Sequence, residues 1–481
     1  FLAIKLIENN KLLNDKIYDF INLNDKSINE IENVINICNN YLLVNNINDY
    51  QNDIVTTIIK KSEEISKEVT NNNEYKTSKT DKILTSKIFG IPIMIMFLGI
   101  IFWLTISGSN YPSHILSRFL FNVQDYLSEI LLKINTPIII HDVLILGIFK
   151  TTSWVVSVML PPMAIFFPLF TLLEDSGFLP RIAFNLDKLF MKAKCHGKQA
   201  LTMCMGFGCN ACGVMGCRII DSPRERLIAI LTNVFVPCNG RFPTLIAIIS
   251  MFFATINFSS VTSALLLTII IILGIIVTLA VSKLLSKTIL KGLPSSFVLE
   301  LPPYRKPQIG KVITRSILDR TLFVLGRALV VAAPAGLVIW LMSNITIGNI
   351  SVLSYCTSTL DPVASVFGLD GTILMAFILG FPANEIVIPI IIMSYLSTNS
   401  LTDYASLSEL KSLLVDNGWT IITAICTIIF TLFHFPCGTT LITIKKETGS
   451  NKWTLLAFLL PTIIGLLLCF IISKIGMIFG L

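Results

Sequence analysis

The chain has 481 residues, is 53% hydrophobic and only 14% charged, and has a mean hydropathy of +0.75. A soluble domain is about 45–50% apolar and about 25% charged, so an ordinary soluble globular protein is excluded, and the pattern is that of an integral membrane protein. The net charge of +7 needs no nucleic-acid partner, because the basic residues flank apolar runs, and eleven cysteines lying mostly within such runs do not form a secreted disulfide framework.

Residues 1–75 are Asn-rich with helical spacing of apolar positions, including Ile54, Ile58, Ile59 and Ile65. With the polar linker "TNNNEYKTSKTDK" they read as a small cytosolic helical segment over 1–80. The abrupt opening at Phe1, without a signal-peptide pattern, reads as the middle of a helix and leads us to expect a longer parent chain. From Ile88 onward, seven runs are long and apolar enough to cross a membrane: 88–106, 143–173, 227–253, 261–283, 321–343, 418–436 and 453–473. Two more, 199–219 and 368–396, are broken by Gly, Pro, Asn and Glu, and Pro161, Pro162 and Pro168 interrupt 143–173.

Lysine and arginine orient the runs. Lys82 and Lys87 place the N-terminus inside. So do Arg181, Lys188, Lys192, Lys194 and Lys198 for 181–198, the eight basic residues from Lys283 to Arg320 for 283–320, and Lys445 with Lys446 for a third inner loop. The stretch "MGFGCNACGVMGCR" (205–218) therefore has basic residues on both sides, Lys198 before it and Arg224 and Arg226 after it. A segment with both ends inside must dip and return, as a re-entrant hairpin with glycines at its tip, buried against protein.

The second broken run echoes the first at a constant offset of 174: Leu186/Leu360, Asp187/Asp361, Gly197/Gly371, Gly206/Gly380, Phe207/Phe381 and Asn210/Asn384 coincide. The span before the first hairpin runs outside to inside and the span before the second runs inside to outside. The expected fold is thus all-α: a polytopic transmembrane helical bundle with two re-entrant gate hairpins in inverted repeats. Its parts are a first helix and external loop (81–142), a first gate repeat (143–283), a basic cytoplasmic loop (284–320) and a second gate repeat (321–477).

Polar groups within apolar runs mark pathways. The candidates are Cys204, Cys209, Asn210, Cys212 and Cys217 on the first hairpin; Cys238, Asn239 and Arg241 in "VPCNGRFP"; Asn384 and Glu385 in "GFPANE"; His434 and Cys437 in "HFPCG"; and Glu174 with Asp175. Thiol, amide, carboxylate and imidazole suit a first-row divalent metal better than Mg²⁺ or Ca²⁺. The Cys209–Cys212 pair alone also fits a structural zinc or redox pair, although no second C-x-x-C closes a zinc site. Cys38, Cys356, Cys426 and Cys469 read as inert, and Cys217 as packing.

"GFGCN", "CNGRFP", "LLEDSGFLPRIAFNLDKLF" and "FPCGTTLITIKKETGSNKWT" together resemble the ferrous iron transport protein B family over roughly residues 85–477. The resemblance implies Fe²⁺ uptake across the bacterial inner membrane by a permease that is not itself an enzyme. It implies no stably bound cofactor, a cytoplasmic N-terminus, a lipid setting, a GTPase domain preceding the helical tail, a small cytosolic accessory protein and a homo-oligomer. Cys209 and Asn210 fall on the family's first gate motif, Cys238 and Arg241 on the second, and Glu174 and Asp175 on an acidic pair ahead of the first. Where many members have Val-Pro, this chain has Ala211-Cys212. No G-x-x-x-x-G-K-[ST] loop or N-K-x-D box occurs, so these residues are not expected to bind GTP. The expected Fe²⁺ ligands are Cys209, Asn210, Cys238, Asn384, Glu385 and Cys437. The rival readings are a carrier of another solute such as a nucleoside, and a membrane thiol oxidoreductase using Cys209 and Cys212.

Overall fold

Long apolar runs can satisfy their backbone away from water only by coiling on themselves, and almost every element of this chain is an α-helix. The computed structural model describes residues 14, 18, 24–44, 50–69, 83–86, 89–193, 195, 197–253, 259–290, 308–348, 350–398, 400–401 and 407–479. The linker 70–82 and the basic residues Lys82, Lys87, Lys194, Lys291, Arg305 and Lys306 lie outside them. The chain divides into two compact units, Phe1–Thr77 and Ser78–Leu481. The first holds helices α1 (Asp25–Val44) and α2 (Tyr50–Val69). In α2 the expected apolar stripe is exposed at Ile58, Ile59 and Ile65.

The second unit is a bundle of helices suited to a multi-pass membrane protein. Among the described residues, five helices are long and apolar enough to cross: Ile138–Asp175, Leu265–Lys287, Ile309–Asn344, Ile421–Thr448 and Asn451–Ile478. They carry the expected runs 143–173, 261–283, 321–343, 418–436 and 453–473. The expected run 88–106 begins helix α3 (Gly90–Lys133), which continues where a loop was expected. The run 227–253 is corrected: it is not one span but α8 (Pro223–Asn233), a break, and α9 (Phe242–Phe252). Pro237 lacks an amide hydrogen and Gly240 resists helix, so the ladder fails there although hydropathy stays high.

Helix α4 (Ile138–Asp175) is the ruler of the bundle. Lys150 to Glu174 measures about 36 Å at 1.5 Å per residue, enough for a hydrocarbon layer of about 30 Å. At its Glu174 end sits the base of the first hairpin, α6 (Gln199–Gly208) and α7 (Asn210–Gly216). Lys198 Nζ donates to Asp221 Oδ2 at 2.8 Å, tying the two ends of this hairpin together. Arg218 grips Glu447 in a bidentate pair at 2.7 and 2.8 Å, and Arg224 donates to the Leu290 carbonyl. The basic ends of 197–226, 283–290 and 445–448 thus gather at one end of the bundle, the arrangement that charge asymmetry predicts for one membrane face.

The second hairpin, α13 (Gly371–Leu379) and α14 (Val387–Leu396), is clipped at its own base. The Tyr395 hydroxyl donates to Asp370, and Trp419 Nε1 donates to Tyr395 at 2.8 Å. Beyond Tyr395, Ser400 accepts from Lys150 Nζ at 3.0 Å, so this base lies at the opposite end of α4. Asp221 and Tyr395, the closing residues of the two clips, are themselves 174 positions apart. The spans leading into the repeats match as well. α4 carries a π-helical turn at Val143–Phe149 and Pro161; α11 (Ile309–Asn344) carries one at Ser316–Leu322 and Pro334. Both features recur at an offset of 173. The expected all-α bundle of inverted repeats is the observed architecture.

Candidate ion pathway

Both hairpin tips end near the middle of α4. Gly208 abuts Phe166, where a β-carbon would strike the ring, and Glu385 lines a cavity together with Val158 and Pro162. At the first tip the backbone leaves the helix at Cys209 in an extended conformation (φ −155°, ψ 125°) and re-enters at Asn210. The glycines here make room for one side chain: a β-carbon at Gly206 or Gly213 would collide with the Asn233 amide at the end of α8. Asn233 Nδ2 donates to the Asn210 carbonyl at 3.2 Å. With its own NH₂ turned inward, Asn210 donates to the carbonyls of Gly206, Asn233 and Val236 at 3.2, 3.3 and 3.1 Å. This amide pair knits the tip to the break in α8.

The two broken spans, α8–α9 and α16 (Ile421–Phe433) with α17 (Gly438–Thr448), leave orphan carbonyls at their breaks. Arg241, fully buried, satisfies both sets. Its Nη1 donates to Val234 and Leu432 carbonyls at 3.3 and 2.8 Å, and its Nη2 to His434 at 3.2 Å. Arg241, a pathway candidate by sequence, is therefore an internal brace between the two breaks. The breaks share a Pro-Cys pair, Pro237-Cys238 and Pro436-Cys437, each followed within two residues by glycine. That repeat was the available signal for the break in 227–253.

Four of the expected ligands converge on this junction. Cys238 lies within electrostatic range of Cys209, Cys437 and Glu385, and Cys437 within range of Cys209 and Glu385. Gly240 lies so close to the Glu385 carboxylate that a β-carbon would overlap it. Cys437 Sγ is 3.2 Å from Thr440 Oγ1. The two asparagines are occupied otherwise. Asn210 is bound as above, and the Asn384 side chain meets His434 Nε2 at 3.2 Å. His434 Nδ1 faces the Phe430 and Thr431 carbonyls at 3.1 and 2.9 Å, so both ring nitrogens are engaged. Among the described residues, no three His, Cys, Asp or Glu side chains stand close enough to hold a metal together. The junction offers donors in succession, not a closed cage.

A cavity adjoins the junction on each side. One, of about 440 Å³, is lined by Val158, Pro162, Asn239, Glu385 and polar residues of α3 such as Ser113 and His114. The other, of about 310 Å³, lies further along α4 between Phe166 and Glu174. Sequence reasoning missed Asn233, whose role depends on glycines far from it in the chain. It named Glu174 and Cys212 without seeing that they share a cavity.

Two family models match the chain. One, described as "Nucleoside recognition" and named Gate, matches residues 156–253 and 325–451; the other, "Ferrous iron transport protein B C terminus", matches 267–319. A protein named "Fe(2+) transporter FeoB" from Staphylococcus aureus (strain MSSA476) is 32% identical over 419 residues, covering 84% of this chain and 60% of the relative. A protein of the same name from Methanocaldococcus jannaschii is 29% identical over 493 residues, covering 99% and 70%. A third, from Porphyromonas gingivalis, is named as a fusion of Fe(2+) transport protein A with Fe(2+) transporter FeoB and is 23% identical, covering 100% and 61%. The chain thus spans about 60% of the length of the first of these relatives. No solved structure matches it significantly.

Proposed function

Since the chain belongs to the ferrous iron transport protein B family, as a membrane part of it, we propose that it carries Fe²⁺ across the bacterial inner membrane, with its N-terminus in the cytoplasm. What supports the reading is that Cys209, Cys238, Cys437 and Glu385 lie near enough to influence one another electrostatically, where two oppositely based hairpins and two broken spans end. Sulfur and carboxylate donors select a borderline divalent ion over Mg²⁺, which requires an oxygen octahedron and dehydrates reluctantly. Donors met in succession bind weakly enough to release, which conduction needs. Asn210 and Asn384 hold the tips; as ligands they would contribute only the amide oxygen. Irregular backbone at membrane depth is tolerated here because protein surrounds it.

Coupling to a GTP-hydrolysing region, association with a small accessory protein and homo-oligomerisation belong to the same proposal; the P. gingivalis fusion supports the accessory partner. The membrane part itself transports and does not catalyse. The test is Fe²⁺ uptake into vesicles containing the protein. Cys209→Ser, Cys238→Ser and Glu385→Gln should each lower uptake about tenfold or more at unchanged protein level, the scale on which losing one metal-site group acts. Uptake indifferent to all three contradicts the reading.

A further inference from the structure

The cavity between the first hairpin and α4 carries an unusual set of side chains for a gap between helices. Its wall of about 310 Å³ includes Met205, Cys212 and Met215 from the hairpin and Glu174 from α4, backed by Phe166, Phe167 and Phe170. Residues bearing three sulfur atoms and one carboxylate thus line a space that would hold about ten water molecules at about 30 Å³ each. The Met205 sulfur is pinned beside Gly216, where a β-carbon would stand 2.6 Å from it. Phe166 stacks on Phe170 at 5.7 Å between ring centres and stands edge-on to Phe167, so one wall is aromatic. Cys212 also stands beside Cys209, three positions before it at the hairpin tip, so the cavity adjoins the junction.

We propose that this cavity is a second metal site, a station for a soft or borderline divalent cation between the junction and the Glu174 end of the bundle. The identity of the natural ion rests on the proposed transport of Fe²⁺; the site itself rests on the donor set. Thiol and thioether sulfur favour such ions, and the carboxylate supplies charge, whereas Mg²⁺ and Ca²⁺ find one oxygen ligand. Neutral thioethers hold loosely, which suits an ion on its way out.

The test uses Cd²⁺, a soft divalent probe, with the purified full chain. Cys209→Ser, Cys238→Ser and Cys437→Ser together remove the junction thiols, and Cd²⁺ binding is measured by titration calorimetry. One site should persist, and adding Met205→Leu and Met215→Leu should weaken it about tenfold, a change of about 1.4 kcal/mol. Leucine keeps the methionine volume, so a merely space-filling role predicts no change, and an unchanged melting temperature confirms folding. The same leucine pair in the otherwise unaltered chain should weaken, again about tenfold, the component of Cd²⁺ binding that Cys212→Ala removes, which covers the event that the triple serine variant does not fold. Binding unaffected by the leucines in both backgrounds overturns the station. Loss of Cd²⁺ binding at the cavity with Fe²⁺ uptake still dependent on Cys238 leaves the junction reading standing; the reverse pattern condemns the junction and spares the cavity.

Discussion

At the scale of single residues, the junction is built from groups that fill spaces made for them. Gly206 and Gly213 exist to admit Asn233, so Gly206→Ala or Gly213→Ala should destabilise the protein by about 1–3 kcal/mol, the usual cost of overpacking. Gly326, which has open space around its α-carbon, is the control: alanine there should be neutral or raise stability by up to about 1 kcal/mol through helix propensity. Thermal melting of the purified variants reads both. Arg241 is a sharper case. Lysine keeps the charge but lacks the planar fork that reaches three carbonyls on two broken helices. Arg241→Lys should cost about 3 kcal/mol or more, because it leaves buried carbonyls unpaired beside a buried ammonium. A melting temperature within error of the parent would refute the brace. Cys209, Cys238 and Glu385 could be named from sequence because polar atoms in apolar runs stand out. Asn233 and Arg241 could not be assigned their roles, because their partners lie 20 to nearly 200 positions away.

At the scale of elements, the hairpins are defined by their clips. Lys198 and Asp221 form a pair whose aspartate is 79% exposed, so Asp221→Asn should cost less than about 1 kcal/mol. Tyr395 is partly buried between Asp370 and Trp419, so Tyr395→Phe should cost more, about 1–3 kcal/mol. Melting both variants tests the ordering, and equal losses would contradict it. The hairpins were legible because glycine, asparagine and the flanking charges all change at one place. The break between α8 and α9 was not, because the window 227–253 stays apolar throughout and hydropathy averages over Pro237 and Gly240. The π-helical turns at Val143–Phe149 and Ser316–Leu322 had no sequence sign at all, since one extra residue per turn leaves composition unchanged.

At the scale of the whole molecule, two similar halves face opposite ways and leave a cavity on each side of their junction. The arrangement matches the general plan of carriers built from inverted repeats. The charge pattern anticipated it, since Arg224, Lys287 and Lys446 all fall at one end of the bundle. The most direct measurement is side-selective labelling of single cysteines added to the parent chain, read with a membrane-impermeant maleimide in sealed vesicles. Lys198→Cys and Asp221→Cys should react together from one face, and Ser365→Cys and Ser397→Cys together from the other. If either pair divides between the two faces, that hairpin crosses the membrane outright and the opposed-hairpin junction does not exist.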